Sequence, residues 1–409
     1  MLAGIEGGGA RGQQVGPIVG WGNNSNGQSE PPPELDREYR AVSAGHQHSV
    51  AIRADGSLVA WGDTFFGQSP VPENLRYSKY KAISAGYIHS LAVIDHPGFP
   101  DHETVVAWGY NFFGACDIPV ELQGQAVLAI AAGENVSFAI RKSDGKLFAW
   151  GQGATCGDSV PTCQCPPGQW NPTDIGLSPE LNVGFAAIAA TGHYAIAQRN
   201  DKTLHVWGAN DACQVTTAPL GVCDSFTAGH KHGIVIRPTV SSSAEFFGWG
   251  HSLYGQERTV AIPCPPNCGV CFGTTCYKPP PSPFPSVLTF ARFKGGYYHT
   301  TGQRSNGWLV AWGNNEYNQC NVPAGAFFDF SANYYACLAI ETLSDTDAYA
   351  NADGGSGSPR FSLSDIAAFN GRLGAGDSRA DCNGDGQLTV SDLTCFLWRF
   401  ERARRMHPN

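Results

Sequence analysis

The sequence predicts an all-β fold, a seven-bladed β-propeller with a small C-terminal α-helical calcium-loop domain behind it. Three observations carry that expectation. A Trp-Gly pair recurs seven times, at Trp21, Trp61, Trp108, Trp150, Trp207, Trp249 and Trp312, with spacings of 40, 47, 42, 57, 42 and 63 residues. A small-small-Gly step precedes the hairpins, ending at Gly45, Gly86, Gly133, Gly192, Gly229 and Gly296 and degenerating to Ala332-Asn333 in the last copy. A run of oxygen-bearing side chains from Asp381 to Asp392 then breaks with everything before it.

Residues 41–68 show the unit most clearly. His48 to Arg53 reads as a strand, Asp55-Gly56 as a tight hairpin turn and Ser57 to Gly62 as the returning strand. Phe65-Phe66-Gly67-Gln68 then leads the chain away, a third landmark matched at Gly27-Gln28, Gly114-Ala115, Asp211–Gln214, Gly255-Gln256 and Asn318-Gln319. A base unit of about 40 residues that buries one face only against its neighbours suits radial stacking. Each unit is expected to hold four short strands, two clear and two weaker. An open β-solenoid is the competing arrangement. The order of landmarks favours a closed ring: the chain opens on a Trp-Gly half unit at Trp21 and closes on the complementary half, Ala332–Ile340. Two halves completing a seventh blade would remove two exposed sheet edges.

The order AG-x-x-HS-x-A-I, DG-x-L-V-A-WG, GQ resembles the regulator-of-chromosome-condensation repeat family over about residues 17–341. The resemblance implies a seven-bladed propeller. Short linkers such as Gly67-Gln68-Ser69-Pro70-Val71-Pro72 are closer to the secreted bacterial members, a β-lactamase-inhibitory protein among them, than to the nuclear exchange factor.

The chain of 409 residues has 50 glycines, 10 tryptophans, only 15% charged residues and a net charge of −9. That balance opposes a broad nucleic-acid surface, which needs clustered Lys and Arg. No run of 18 apolar residues marks a membrane span. Fourteen cysteines, clustered in loops, point to an oxidising compartment, so an extracellular or cell-surface location is expected. The first residues, Met1 to Gly9, lack a leader's charged and apolar regions, which implies that an upstream segment is absent from the sequence as read.

The expected organisation is a Gly-rich disordered segment at 1–16, the propeller at 17–343 and the calcium-loop module at 344–409. Insertions at Asp95–Glu103, Gln152–Val183 and Glu257–Ser286 are the natural places for binding loops. In the last, Cys264, Cys268, Cys271 and Cys276 admit a zinc site or two local disulfides; the short spacing favours disulfides. Cys213 with Cys223 could close another loop, and Cys320 and Cys337 flank the last turn.

Two histidine sets recur: His48, His89, His232 and His299 at one unit position, and His46, His193 and His230 at another. A radial set of imidazoles could hold metal or act as bases. A shared structural task is the favoured reading, since no carboxylate recurs beside them as a second coordination shell needs. Tyr87, Tyr297, Tyr298, Tyr334 and Tyr335 fall in the same region of the unit, which predicts aromatics on one face of the disc, a surface for a protein or glycan ligand. No G-x-S-x-G, Walker loop or H-E-x-x-H appears and no acidic pair recurs, so a catalytic role is not expected.

The C-terminal run Asp381-Cys-Asn383-Gly-Asp385-Gly386-Gln387-Leu-Thr389-Val-Ser-Asp392 matches a calcium loop. Asp381, Asn383 and Asp385 offer side-chain oxygens at positions 1, 3 and 5, Gln387 its carbonyl at 7, Thr389 sits at 9 and Asp392 closes at 12. Leu393, Phe396, Leu397 and Phe400 follow at helical spacing. The closing Asp, and a second loop-helix half around Asp365, resemble a dockerin, the secreted module that docks onto cohesin. The resemblance implies Ca²⁺ binding and a cohesin-like partner met by Leu363, Ser364, Val390 and Ser391. The first half departs from the pattern, with Gly355, Ser356 and Ser358 in place of acidic ligands. The function expected is a secreted, non-catalytic binding or scaffold protein. The alternatives are an accessory or enzyme component of polysaccharide degradation, and a guanine-nucleotide exchange factor.

Overall fold

The computed structural model describes residues 14–31, 38–96, 98–99, 101–151, 176–210, 212–219, 221–237, 245–251 and 290–342. Within them lie seven three-stranded antiparallel sheets. The chain enters through β1 (Ile18–Gly22). Blade one is β2 (Tyr39–Ala44), β3 (His48–Arg53) and β4 (Leu58–Gly62). Blade two is β5 (Lys79–Ala85), β6 (His89–Asp95) and β7 (Thr104–Gly109); blade three is β8 (Val127–Ala132), β9 (Val136–Arg141) and β10 (Leu147–Gly151). Blade four is β11 (Phe185–Thr191), β12 (Tyr194–Arg199) and β13 (Leu204–Gly208); blade five is β14 (Ser225–Ala228), β15 (His232–Arg237) and β16 (Glu245–Gly250). Blade six is β17 (Phe290–Gly295), β18 (His299–Arg304) and β19 (Leu309–Gly313). The last two strands are β20 (Phe327–Asn333) and β21 (Ala336–Glu341).

The seventh blade closes the ring as the half-unit argument requires. β1 pairs antiparallel with β21, Trp21 opposite Cys337 and Gly22 opposite Ala336, in the order β1-β21-β20. Among the described residues the blades hold three strands rather than the expected four. Where a fourth would run in blade one, the chain carries Pro70 and Pro72 and then the 3-10 turn Glu73–Leu75. Proline has no N–H to give a ladder, so this segment crosses to the next blade without pairing.

The core is divided among the seven blade interfaces, and each interface receives one tryptophan of a Trp-Gly pair. Trp108 packs with Val50 and Ile52 of the preceding blade, Trp150 with Leu91 and Val93, and Trp207 with Phe138 and Ile140. Trp61 packs with Leu338 and Ile340, across the seam where the ring closes. The indole edge does a second task. Trp61 Nε1 donates to Gln28 O (3.1 Å), Trp108 to Gln68 O (3.0 Å), Trp150 to Ala115 O (2.9 Å) and Trp249 to Gln214 O (2.7 Å). Trp21 Nε1 donates to Gln319 O at 2.9 Å and ties the first strand to the last loop. The Trp-Gly and Gly-Gln landmarks therefore recur together because one holds the other across a blade boundary.

Candidate binding face

His48 pairs with Gly62, so the turn after β2 and the loop after β4 emerge on the same face of the disc. The turns form an inner collar and the loops an outer rim. In blade one the residue after Gly45 is His46; its equivalents are Tyr87, Glu134, Gly192, His230, Tyr297 and Tyr334. Backbone bonds link this collar around the axis: His46 N to Gly86 O (3.2 Å), Tyr87 N to Gly133 O (3.1 Å), Glu134 N to Gly192 O (2.9 Å), His230 N to Gly296 O (3.0 Å) and Tyr297 N to Tyr334 O (2.9 Å).

Tyr334 is 2% exposed, and its ring lies 4.6 Å from His46, 5.0 Å from Tyr87, 5.4 Å from Tyr297 and 6.3 Å from His230, centroid to centroid. Those partners belong to blades one, two, six and five, which one side chain of blade seven reaches only from the axis. The tyrosine plugs the collar. At Gly192 an added Cβ would come within 2.6 Å of His230 Nδ1, so the collar has no room for another side chain there.

The sequence reading holds for the tyrosines: Tyr297 meets Tyr298 edge-on (4.4 Å) and Tyr335 at a tilt (5.3 Å), and Tyr335 meets Tyr317 of the rim (4.9 Å). It fails by one residue for His193. Ala209 N bonds His193 O as Asp63 N bonds Gln47 O, which places His193 one step beyond the His46 position. β11 carries an extra residue, Thr191, before its glycine. His193 Nε2 instead lies 3.1 Å from Glu134 Oε2.

His48, His89, His232 and His299 are fully buried and open β3, β6, β15 and β18. Each Nε2 reaches a hydroxyl or thiol of the next blade: Ser90 (2.8 Å), Ser137 (2.9 Å), Thr300 (3.0 Å) and Cys337 Sγ (3.1 Å). They are inter-blade staples. Burial lowers the pKa of His48 and His232 to about 3 and of His89 and His299 to about 4, so all four are neutral near neutrality. His46 is likewise lowered to about 4 by burial, with Asp63 opposing.

The rim holds the feature that motif reading passed over. In the loops after β4 and β7, Phe65 is 81% and Phe112 79% exposed. Phe65 meets Phe66 at 4.8 Å, Phe66 meets Tyr110 at 4.9 Å, and Phe112 meets Phe113 at 5.1 Å. Two adjacent blades thus present one aromatic patch. Its polar neighbours are spent within their own loops: Asp63 accepts from Phe65 N (3.0 Å) and Gln68 Nε2 (3.0 Å), while Asn111 accepts from Cys116 N (2.7 Å) and donates to Asp117 (2.8 Å). The repeated Phe-Phe-Gly was the available signal.

Among the described cysteines, Cys116, Cys223, Cys320 and Cys337 are free thiols, which corrects the suggested Cys213–Cys223 loop. Cys223 is buried beside Gln198, whose Nε2 donates to Cys223 O at 2.7 Å. Cys213 is disulfide-bonded, to a partner outside the described residues. No group of three metal-capable side chains occurs among the described residues. The calcium ligands Asp381, Asn383, Asp385, Gln387, Thr389 and Asp392, the docking residues Leu363, Ser364, Val390 and Ser391, and the Cys264–Cys276 loop lie outside the described residues.

A family model for the regulator of chromosome condensation (RCC1) repeat matches residues 39–68. No curated sequence matches the chain. Among solved structures, Prp20p of Saccharomyces cerevisiae, described with its binding properties to Gsp1p and histones, superposes with a TM-score of 0.58 at 16% identity, covering 83% of this chain and 94% of that one. Yeast RCC1 (Prp20) bound by Kap60 gives 0.59 at 16% identity, covering 83% and 92%. Human WBSCR16 gives 0.55 at 16% identity, covering 80% and 99%. With seven closed blades, the repeat match and these likenesses, the fold is an RCC1-like β-propeller.

Proposed function

We propose that the chain is a non-catalytic binding protein that takes a protein ligand on the aromatic rim. The exposed patch of Phe65, Phe66, Tyr110, Phe112 and Phe113 carries this reading. Aromatic side chains on a rigid framework supply large contact area at small entropic cost. The carboxylates and amides beside them are already engaged, so the surface offers apolar rings rather than the directed hydrogen bonds a sugar needs. That favours a protein over a glycan. Prp20p, a solved propeller of this fold, has protein partners, Gsp1p, histones and Kap60. In the same proposal the 344–409 module, ordered by Ca²⁺, docks onto a cohesin-like partner and holds the propeller in an extracellular or cell-surface assembly.

The test is capture from culture supernatant by the immobilised full chain, followed by identification and a purified-pair affinity measurement. Phe65→Ala with Phe112→Ala is expected to weaken the propeller's ligand by at least tenfold. Chelator is expected to release only the tail's partner. Equal affinity of wild type and double variant for every captured protein would overturn the rim reading. Nucleotide release from a small GTPase, or retention on polysaccharide, would transfer the assignment to exchange or to polysaccharide degradation.

A further inference from the structure

Along the axis, the inner strands enclose a cavity of about 350 Å³, within the range of small-ligand sites. Its charge runs against that of the protein. Four cationic side chains, Arg40, Lys81, Arg292 and Lys294, line it with a single carboxylate, Asp329, in a chain of net charge −9. Three of the cations are engaged. Arg40 donates to Tyr80 O, Lys81 pairs with Glu103, and Arg292 donates to Gln303 (2.7 Å) and lies 3.6 Å from Asp329. The second Asp329 oxygen accepts from Val42 N at 3.1 Å. The Lys294 ammonium has no hydrogen bond or ion pair among the described residues.

The place of Lys294 in the repeat shows what it replaces. In four blades a hydroxyl occupies this position and caps an amide on the next blade's free inner edge. Ser43 accepts from Ala85 N (2.9 Å), Ser84 from Ala132 N (2.9 Å), Thr227 from Gly295 N (3.0 Å) and Ser331 from Ala44 N (3.0 Å). Lys294 pairs with Thr301 as Ser43 pairs with Val50, so it stands in the hydroxyl row facing Ala332. A lysine donates and cannot cap an amide. At this step of the row both the side chain and the facing Ala332 amide are donors, and the hydroxyl acceptor of the equivalent blades is lost.

We propose that the axial channel binds a small oxyanion, a carboxylate or phosphate, between the Lys294 ammonium and the edge amide of Ala332, with Arg40 and Arg292 adding to the field. Lys294 is half-buried, and an unpaired charge partly withdrawn from water carries a cost that an anion placed there offsets. Burial lowers the Lys294 pKa, with Asp329 opposing and Arg292 adding to the lowering, and a bound anion raises it again. This site is separate from the rim and stands without it.

Titration calorimetry of the full chain with inorganic phosphate and with citrate, at constant ionic strength, tests the proposal. Saturable binding of either is expected, and the one that binds names the class; saturation by neither overturns the site. Lys294→Met is expected to weaken binding tenfold or more and Lys294→Arg to retain it, with unchanged circular dichroism; undiminished affinity in Lys294→Met overturns the assignment. Should Lys294→Met fail to fold, wild-type crystals soaked in selenate decide. Anomalous signal within hydrogen-bonding reach of Lys294 Nζ supports the site, and a channel without it at saturating selenate refutes it.

Discussion

A buried imidazole that bonds a hydroxyl or thiol of the next blade is neutral in the folded protein and free to protonate in the unfolded chain. His48, His89, His232 and His299, lowered to between about 3 and about 4, all behave this way. Their ordinary pKa is about 6.5. Below that value the unfolded chain binds protons that the folded one refuses, so stability falls as pH drops, until the folded pKa is reached. Each histidine contributes up to about 1.4 kcal/mol per pH unit across that window. Urea midpoints should be flat above neutrality and fall steeply toward about pH 5. His89→Gln, which keeps a polar atom toward Ser137 without titrating, should flatten the fall; an unchanged slope would show that the acid sensitivity lies elsewhere. The glycine before these residues follows from the same contact. A Cβ at Gly229 or Gly296 would stand 2.0 Å from the Cε1 of His232 or His299, which is why Gly-x-x-His travels as a unit. The motif told where the histidines recur, and its lack of recurring carboxylates favoured a structural task. It did not tell which atom they reach, because Ser90, Ser137, Thr300 and Cys337 each lie one blade away.

At the scale of the element, adjacent blades are joined by three repeated links: the tryptophan to the preceding loop, the histidine to the next blade and the inner hydroxyl to an edge amide. The third is present at Ser43, Ser84, Thr227 and Ser331 and missing at Ala131, Ala189 and Lys294. Ser43→Ala should leave the Ala85 amide without its acceptor and cost about 1–2 kcal/mol in denaturant unfolding. Ala131→Ser restores the missing link toward Ala190 and should gain about 0.5–1 kcal/mol; a loss of similar size would mean the row has no space for the oxygen. The strands were legible wherever alternation and landmarks coincided. The fourth strand is not legible from the period alone, because the prolines between units, Pro70 and Pro72 among them, break the ladder without breaking the repeat. The channel lining was not legible at all. Arg40 and Lys81 share one bulge position of the repeat and Lys294 stands at another, and the three converge only through ring closure. For the calcium loop, a second element of the chain, titration of the full protein with Ca²⁺ should bring a gain in helical signal that Asp381→Ala and Asp385→Ala abolish together. No metal response in the unaltered protein would remove the loop assignment.

The whole molecule depends on one non-local pairing, that of β1 with β21, between residues more than 300 apart in sequence. Every other sheet is built from consecutive strands and can form locally, but the ring stays open until the first strand finds the last. Closure also hides a chemical reporter. Cys337 stands opposite Trp21, is fully buried, and its thiol pKa is raised by that burial. A buried thiol of raised pKa holds little thiolate and reacts slowly. In the closed protein Cys337 should therefore resist a thiol reagent while the half-exposed Cys116 and Cys320 are labelled first, more slowly than a free cysteine since burial pushes both up to about 12. Deleting residues 1–22 uncovers β21, turns it into an unpaired edge and removes Trp21 from its place beside Phe330. Cys337 labelling, followed by peptide mass spectrometry, should accelerate at least tenfold, and the truncated protein should associate through the new edge. In the full-length protein, low urea separates two ways of opening. If Cys337 labels with the weak urea dependence of a small local event, the seam opens by release of β1 alone. If it labels only with the full dependence of global unfolding, the seven blades stand or fall as one cooperative ring.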